Sequence, residues 1–260
     1  NYPRAAESHA ALVALVEAGA PVDEYQRGVV NYYAGVYQLG IDALRRAIAA
    51  APDTTPRDAY LFLAWSYEGL GDLTSALAEL DAFADHEPAR ALFERGEMLN
   101  RAGQVDEALA AYDAFVAAYP DADETAAVQW TAAQLADGAS AADAARYVAL
   151  ADAFPFDGNA PAALYRAAEL TAADDVDSAV ALWQRLAEQY PANDNGAAAL
   201  FRLLRLADAG EAKGLDAAAL RRQVSTLTPS NYFALRAIDF AAGTEPFSAN
   251  SEMVLPDDPA

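Results

Sequence analysis

Cysteine is absent from these 260 residues, so neither a disulfide nor a thiolate metal site can contribute to the fold. Lysine occurs once, as Lys213, and histidine twice, as His9 and His86. Against 17 Lys and Arg stand 39 Asp and Glu. The resulting net charge of −22 argues against nucleic acid and anionic membrane surfaces, because both are bound chiefly through Lys and Arg. A solubilising acidic surface accounts for it, and attraction of cationic partners is the functional alternative. No stretch approaches the roughly 18 to 20 uninterrupted apolar residues of a membrane span, so no membrane insertion is expected. A phosphate-binding glycine loop, a GxSxG elbow and an HExxH pair are also missing. No catalytic residue, metal site or cofactor is expected in the chain.

What the chain has is alanine, about a quarter of all residues, and a regular punctuation by proline. Pro52, Pro88, Pro120, Pro155, Pro191 and Pro229 are separated by 36, 32, 35, 36 and 38 residues, each closing an amphipathic run. Overlaying the runs on these prolines gives a register. Ala64, Tyr67, Ala76, Leu80, Phe83 and Pro88 follow one another at intervals of 3, 9, 4, 3 and 5. Gly96, Leu99, Ala108, Tyr112, Phe115, Pro120 repeat them, as do Ala167, Leu170, Ala179, Trp183, Leu186, Pro191. Gly28, Asn31, Gly40, Leu44, Ala47, Pro52 depart only in the polar Asn31. A small residue in the first and third slots lets two helices approach closely, and large residues in the next two fill the space around them. Two units break the pattern. Asp143 takes a small slot before Pro155, and Arg205, Asp208 and Arg221 take apolar slots before Pro229, which predicts irregular hairpins there.

This register resembles the tetratricopeptide repeat over residues 22 to 229. The resemblance implies an all-α fold, an α-solenoid of six helical hairpins with a right-handed superhelical twist. Proline is expected in the first turn of each following helix, where its missing N–H costs nothing. Alanine content agrees with helices, and β-branched residues are too few and scattered for a sheet. Turns are expected at Gly71-Asp72, Ala102-Gly103, Gly138 to Ser140, Ala173 to Asp175 and Gly210 to Gly214. Asp72, Asp121, Ser140 and Asp194 stand where N-caps are wanted. An extra helix is expected at each end, over 4–18 and 230–242. One repeat domain is read over 1–243 and a linker or tail over 244–260. The start at Asn1, with neither an initiator methionine nor a signal peptide, reads as a mature fragment.

Few residues suggest chemistry. His86 falls at a helix C-terminus, where the dipole favours positive charge, and both histidines read as structural. Asp121-Ala122-Asp123-Glu124 and Asp174, Asp175, Asp177 lack the glycine and distant glutamate of a calcium loop and read as caps. Asn193-Asp194-Asn195-Gly196 has Pro191 where the first acidic ligand would stand. The first helix of each hairpin is expected to line the inner face of the array. The register puts Tyr25, Tyr32, Tyr33, Trp65, Glu68, Arg90, Phe93, Glu97, Asn100 and Arg101 near that face. Aromatic rings beside hydrogen-bonding groups suit peptide or sugar contact, and packing between repeats is the plainer reading of most of the rings. The Lys/Asn clamp for acidic C-terminal peptides is not recognisable.

The segment Thr228-Pro229-Ser230-Asn231-Tyr232-Phe233-Ala234-Leu235-Arg236-Ala237, continuing to Gly243-Thr244-Glu245-Pro246-Phe247, resembles the junction of soluble lytic murein transglycosylases. There a helical superhelix meets a lysozyme-like domain that cleaves peptidoglycan with a glutamate in an E-S motif. In the tail region, where the glutamates are Glu245 and Glu252, neither that motif nor the downstream G-L-M-Q occurs. The resemblance implies the non-catalytic helical part of an exported transglycosylase of the periplasm or outer cell envelope. Its catalytic domain would be the partner, docked through Tyr232, Phe233, Arg236 and Phe240, with peptidoglycan or envelope proteins as further partners. Units ending in Tyr-Pro, as at Tyr119-Pro120 and Tyr190-Pro191, also occur in free-standing envelope scaffolds that bind proteins without an attached enzyme, and a cytoplasmic adaptor is a third reading.

Overall fold

The computed structural model describes residues 6–138, 141–228 and 232–244, and those residues form fourteen helices and no strand. Six hairpins follow in order: α2 (Glu24–Tyr33) with α3 (Tyr37–Ala50), α4 (Asp58–Gly69) with α5 (Leu73–Ala84), and α6 (Pro88–Arg101) with α7 (Val105–Ala118). Then come α8 (Thr125–Leu135) with α9 (Ala141–Ala153), α10 (Ala160–Thr171) with α11 (Val176–Gln189), and α12 (Asp194–Ala209) with α13 (Ala217–Val224). Helix α1 (Ala6–Glu17) precedes them and α14 (Tyr232–Ala241) follows. The protein is all-α, of the α-solenoid class. Expected features at Arg4, Ser140, Pro229 to Asn231 and 245–260 lie outside the described residues.

The packing gathers into two units, Asn1–Val128 and Gln129–Ala260. In each unit the small slot of the register does what its spacing implies. A Cβ added at Gly96 would stand 2.4 Å from the Tyr112 ring, and one at Gly28 would stand 2.4 Å from Leu44 Cγ. Both partners lie sixteen positions on, in the second helix of the same hairpin. Ala64 with Leu80, and Ala167 with Trp183, hold the same slots and are at most 4% exposed. Burying one Leu or Phe side chain contributes about 1.5–3 kcal/mol, whereas a half-exposed ion pair contributes about 0–1 kcal/mol. The apolar slots therefore make the hairpins. In the first unit they build clusters around Leu61, Leu80, Phe83 and Met98, and around Ile41, Leu44 and Phe62. In the second, Tyr147, Leu150, Leu164, Trp183, Leu186 and Leu203 share one core.

Arginines tie helices together over this apolar frame. Arg45 reaches Glu79, Arg46 reaches Glu24, and Arg95 reaches Asp81. In the second unit Arg166 pairs with Asp137, Arg185 with Asp152, and Arg202 with Glu169. The Tyr-Pro ending acquires a physical meaning here as well: the Tyr190 hydroxyl donates to the carbonyl of Pro155, one repeat earlier, at 2.6 Å.

Several local expectations are corrected. Of the closing prolines described, only Pro88 enters the first turn of a helix; Pro52, Pro120, Pro155 and Pro191 sit in the turn before it. An Asx turn explains the delay in two units, since Asp157 accepts from Asn159 N and Asn193 from Asn195 N before the helix can begin. Asn193, not Asp194, therefore caps α12, and Asp121 lies in the turn ahead of α8. Asp72 and Asp175 cap as the sequence suggests, each accepting from the backbone N–H three residues on. His86 lies just past α5, its ring 5.9 Å from that of Tyr60. Both irregular hairpins are real. Asp143 turns back to accept from Gly138 N and Ala144 is buried in its stead, while Arg221 pairs with Asp208 and leaves Leu220 and Val224 to pack.

The small slot generates a direct prediction. Ala64→Leu and Gly96→Ala each overpack a fully closed hairpin and should cost about 1–3 kcal/mol, read as a lower denaturation midpoint. Midpoints equal to wild type for both would contradict the register.

Candidate functional site

In the first unit the candidate residues are carried by α2, α4 and α6, the first helices of three consecutive hairpins. The hairpin register turns one side of each helix inward against its partner, at Gly28, Ala64 and Gly96, and frees another for the face of the array. Tyr32 stacks on Trp65 with centroids 5.7 Å apart and 27° between planes. Tyr33 meets Tyr32 edge-on at 5.1 Å, and Phe62 meets both rings and Trp65. These rings also pack on Val29, Ile41 and Leu63, so inter-repeat packing is part of their role.

Beside the rings runs a polar ladder. Arg101 grips Glu68 through two nitrogens, at 2.7 and 3.1 Å, a fork geometry that fixes α6 against α4. Its other side approaches Glu97 at 3.7 Å. Glu97 accepts from the buried Tyr112 hydroxyl at 2.7 Å, and Asn100 bonds to the same hydroxyl. The Trp65 indole N–H donates to Glu94 Oε2 at 3.0 Å, and Arg90 stands 3.9 Å from Glu94. Six of the candidates, Tyr32, Tyr33, Trp65, Glu68, Glu97 and Arg101, thus meet in one aromatic and ionic strip. Tyr25 is held in the hairpin wall instead, its hydroxyl donating to Asp58 at 2.8 Å, and Phe93 packs on Phe115.

Glu94 was missed by sequence reading. Its slot holds Gln26, Phe62, Gln129 and Tyr165 in other units, polar and apolar in turn, so the repeat pattern carried no signal for it. Burial raises its pKa against the opposing pull of the Trp65 hydrogen bond. The strip accordingly holds one carboxylate that is poorly hydrated and partly satisfied by an indole, and two more, Glu68 and Glu97, that share one guanidinium and so keep a net negative charge. Such a strip can accept hydrogen bonds and pair with a cation. Among the described residues no group of acidic or histidine side chains could hold a metal ion.

At the far end, α14 presents two sides. Ala234, Arg236 and Ala237 are buried against the last hairpin, and Phe240 meets Phe201 edge-on at 5.9 Å. Arg236 lies over the Phe201 ring and pairs with Asp239. Tyr232, Phe233 and Leu235 are exposed, Tyr232 to 57% and Leu235 to 48%. Of the docking residues named from sequence, Arg236 and Phe240 therefore close the repeat and Tyr232 and Phe233 face outward.

The buried phenols yield a pH prediction. Burial first, then a carboxylate partner, raises the pKa of Tyr25 and Tyr112 well above the ordinary phenol value and pushes Tyr147 up to about 12. A group raised in the folded state stabilises fully below its unfolded pKa, here 10.0, and loses that contribution as pH rises through the folded value. Stability should therefore fall from about pH 10 upward, with tyrosinate absorbance of these phenols rising together with unfolding. Ionisation of every tyrosine near the ordinary value, with helicity intact, would contradict it.

Sequence models of the tetratricopeptide repeat match residues 25–85, 61–123 and 162–193. No curated protein matches the chain. Among solved structures, the C-terminal part of a TPR repeat-containing protein from Cytophaga hutchinsonii is 14% identical, with a TM-score of 0.56 over 90% of this chain and 94% of that one. A PilF structure from Pseudomonas aeruginosa is 19% identical, with a TM-score of 0.42 over 85% of this chain and 96% of that one. The matched residues, 25–123 and 162–193, make up about half of the chain and coincide with hairpins described above, and the chain belongs to the tetratricopeptide-repeat family.

Proposed function

We propose that the protein is a protein-interaction scaffold and that it docks extended partner segments on the face of α2, α4 and α6. The observation that carries this reading is the strip itself. Half-exposed aromatic rings adjoin three carboxylates and a clamped guanidinium, all on rigid helices of consecutive repeats. Aromatic residues and Arg dominate the energetics of protein interfaces, and rigid elements present them with little entropic cost on binding. The test is capture of soluble and envelope proteins of the source organism on the immobilised chain, compared with Tyr32→Ala/Arg101→Glu. Specific partners should be retained by the wild type and lost, about tenfold or more in yield, by a variant of unchanged helicity. The same partners on both proteins would contradict the assignment of the face.

A second reading rests on the exposed side of α14. Tyr232, Phe233 and Leu235 form an apolar group that a mere terminal cap would not need. With the resemblance of this segment to the transglycosylase junction, it supports an exported chain whose catalytic domain docks on α14, in the periplasm or outer cell envelope. Under this reading these 260 residues alone release no anhydro-muropeptides from peptidoglycan, whereas the gene product does. A gene product without turnover, or equal hydrogen-exchange protection of 232–242 in both proteins, would exclude the docking role.

A further inference from the structure

The last hairpin, where the register breaks, borders a cavity. Five units place a large residue, Leu44, Leu80, Tyr112, Tyr147 or Trp183, eight positions before the closing proline, and the sixth places Arg221 there. Arg221 turns aside to Asp208, and the chain from α12 to α13 runs through Gly210 and Gly214, both with positive φ, before Asp216 caps α13. Between α13 and the neighbouring helices α11 and α12 lies a cleft of about 740 Å³. That lies within the roughly 300–1,000 Å³ of ligand sites. Leu200, Leu203, Leu215, Leu220 and Leu227 give it an apolar floor.

We propose that this cleft binds a partner segment that sets Lys or Arg beside aliphatic or aromatic side chains. Charge complementarity identifies the occupant. Glu188 and Asp216 line the rim with Gln184, Asn193 and Gln223, and no Lys, Arg or His is among the described lining residues. Glu188 is exposed on α11, and Asp216 already accepts from Ala218 N and Ala219 N, so Glu188 is the carboxylate available to a cation. The rest of the chain strengthens the field, with a net charge of −22. The same charge disfavours two other occupants. A second copy carries the same surplus, and residues 245–260 of this chain hold Glu245, Glu252, Asp257 and Asp258 without a single Lys or Arg. The site lies wholly within the second unit and does not depend on the α2, α4 and α6 face.

The test uses fluorescein-labelled hexapeptides in which one or two Lys or Arg stand among Leu, Ile and Phe, with counterparts carrying Glu instead. Anisotropy is read on the full 260-residue chain at low and physiological salt. Members of the basic set should bind about tenfold or more tighter than their acidic counterparts, more weakly as salt rises. Glu188→Lys, at an exposed site, should weaken binding about tenfold, and Ala219→Trp should abolish it by filling the cleft. Arg101→Glu should leave it unchanged, which separates this site from the strip on α6. Circular dichroism and melting of both cleft variants check the fold, and Glu188→Lys carries the test if Ala219→Trp does not fold. Four outcomes would overturn the proposal: no basic peptide binds, the acidic set binds equally well, binding survives the cleft variants, or a synthetic 245–260 peptide displaces the probe. Self-association of the chain lost in Glu188→Lys would assign the cleft to a second copy and overturn it too.

Discussion

Everything in this protein depends on how closely the two helices of a hairpin approach. Gly28, Ala64, Gly96 and Ala167 leave no space for a larger side chain, because Leu44, Leu80, Tyr112 and Trp183 sixteen positions later already fill it. This contact fixes the rotation of each helix about its own axis, and rotation decides which side faces the partner and which is left for the surface. The strip of Tyr32, Trp65, Glu68, Glu94, Glu97 and Arg101 is a consequence of that rotation repeated in three first helices. A cleft lies elsewhere, between the last hairpin and α11.

Electrostatics is divided in a corresponding way. The few cations are spent between helices, as Arg45 on Glu79, Arg101 on Glu68, Arg166 on Asp137 and Arg202 on Glu169. Each half-exposed pair adds at most about 1 kcal/mol, so they set alignment between helices more than stability. With arginine committed to the frame, the outward charge is largely that of the surplus carboxylates. A scaffold built this way attracts cationic segments and repels nucleic acid and anionic lipid, over a range limited by salt to about 8–10 Å.

How far the sequence disclosed this varies with the physics involved. Hairpin count, helix positions and small slots were legible because close packing constrains residue size at fixed intervals, as at Gly96 and Tyr112. The pairing of Trp65 with Glu94 was not legible, because a polar residue on a helix face has no periodic constraint and its partner is set by the neighbouring repeat. Proline positions misled by several residues, since Asp157 and Asn193 form turns that compete with helix initiation. Polar residues in apolar slots, Asp143 and Arg221, signalled irregular hairpins, but the cleft beside α13 required the coordinates, since a void is a property of several helices and not of a residue pattern.

The central claim is the contact between slots sixteen residues apart, and nuclear magnetic resonance reads it without perturbing it. The account predicts nuclear Overhauser effects from the Gly96 α-protons to the Tyr112 ring and from the Gly28 α-protons to the Leu44 methyls. The Gly96 signals should also be displaced from their usual position by the Tyr112 ring current. Gly96 α-protons at ordinary glycine shifts with no effect to Tyr112, in a folded and helical protein, would contradict the register and the face built upon it.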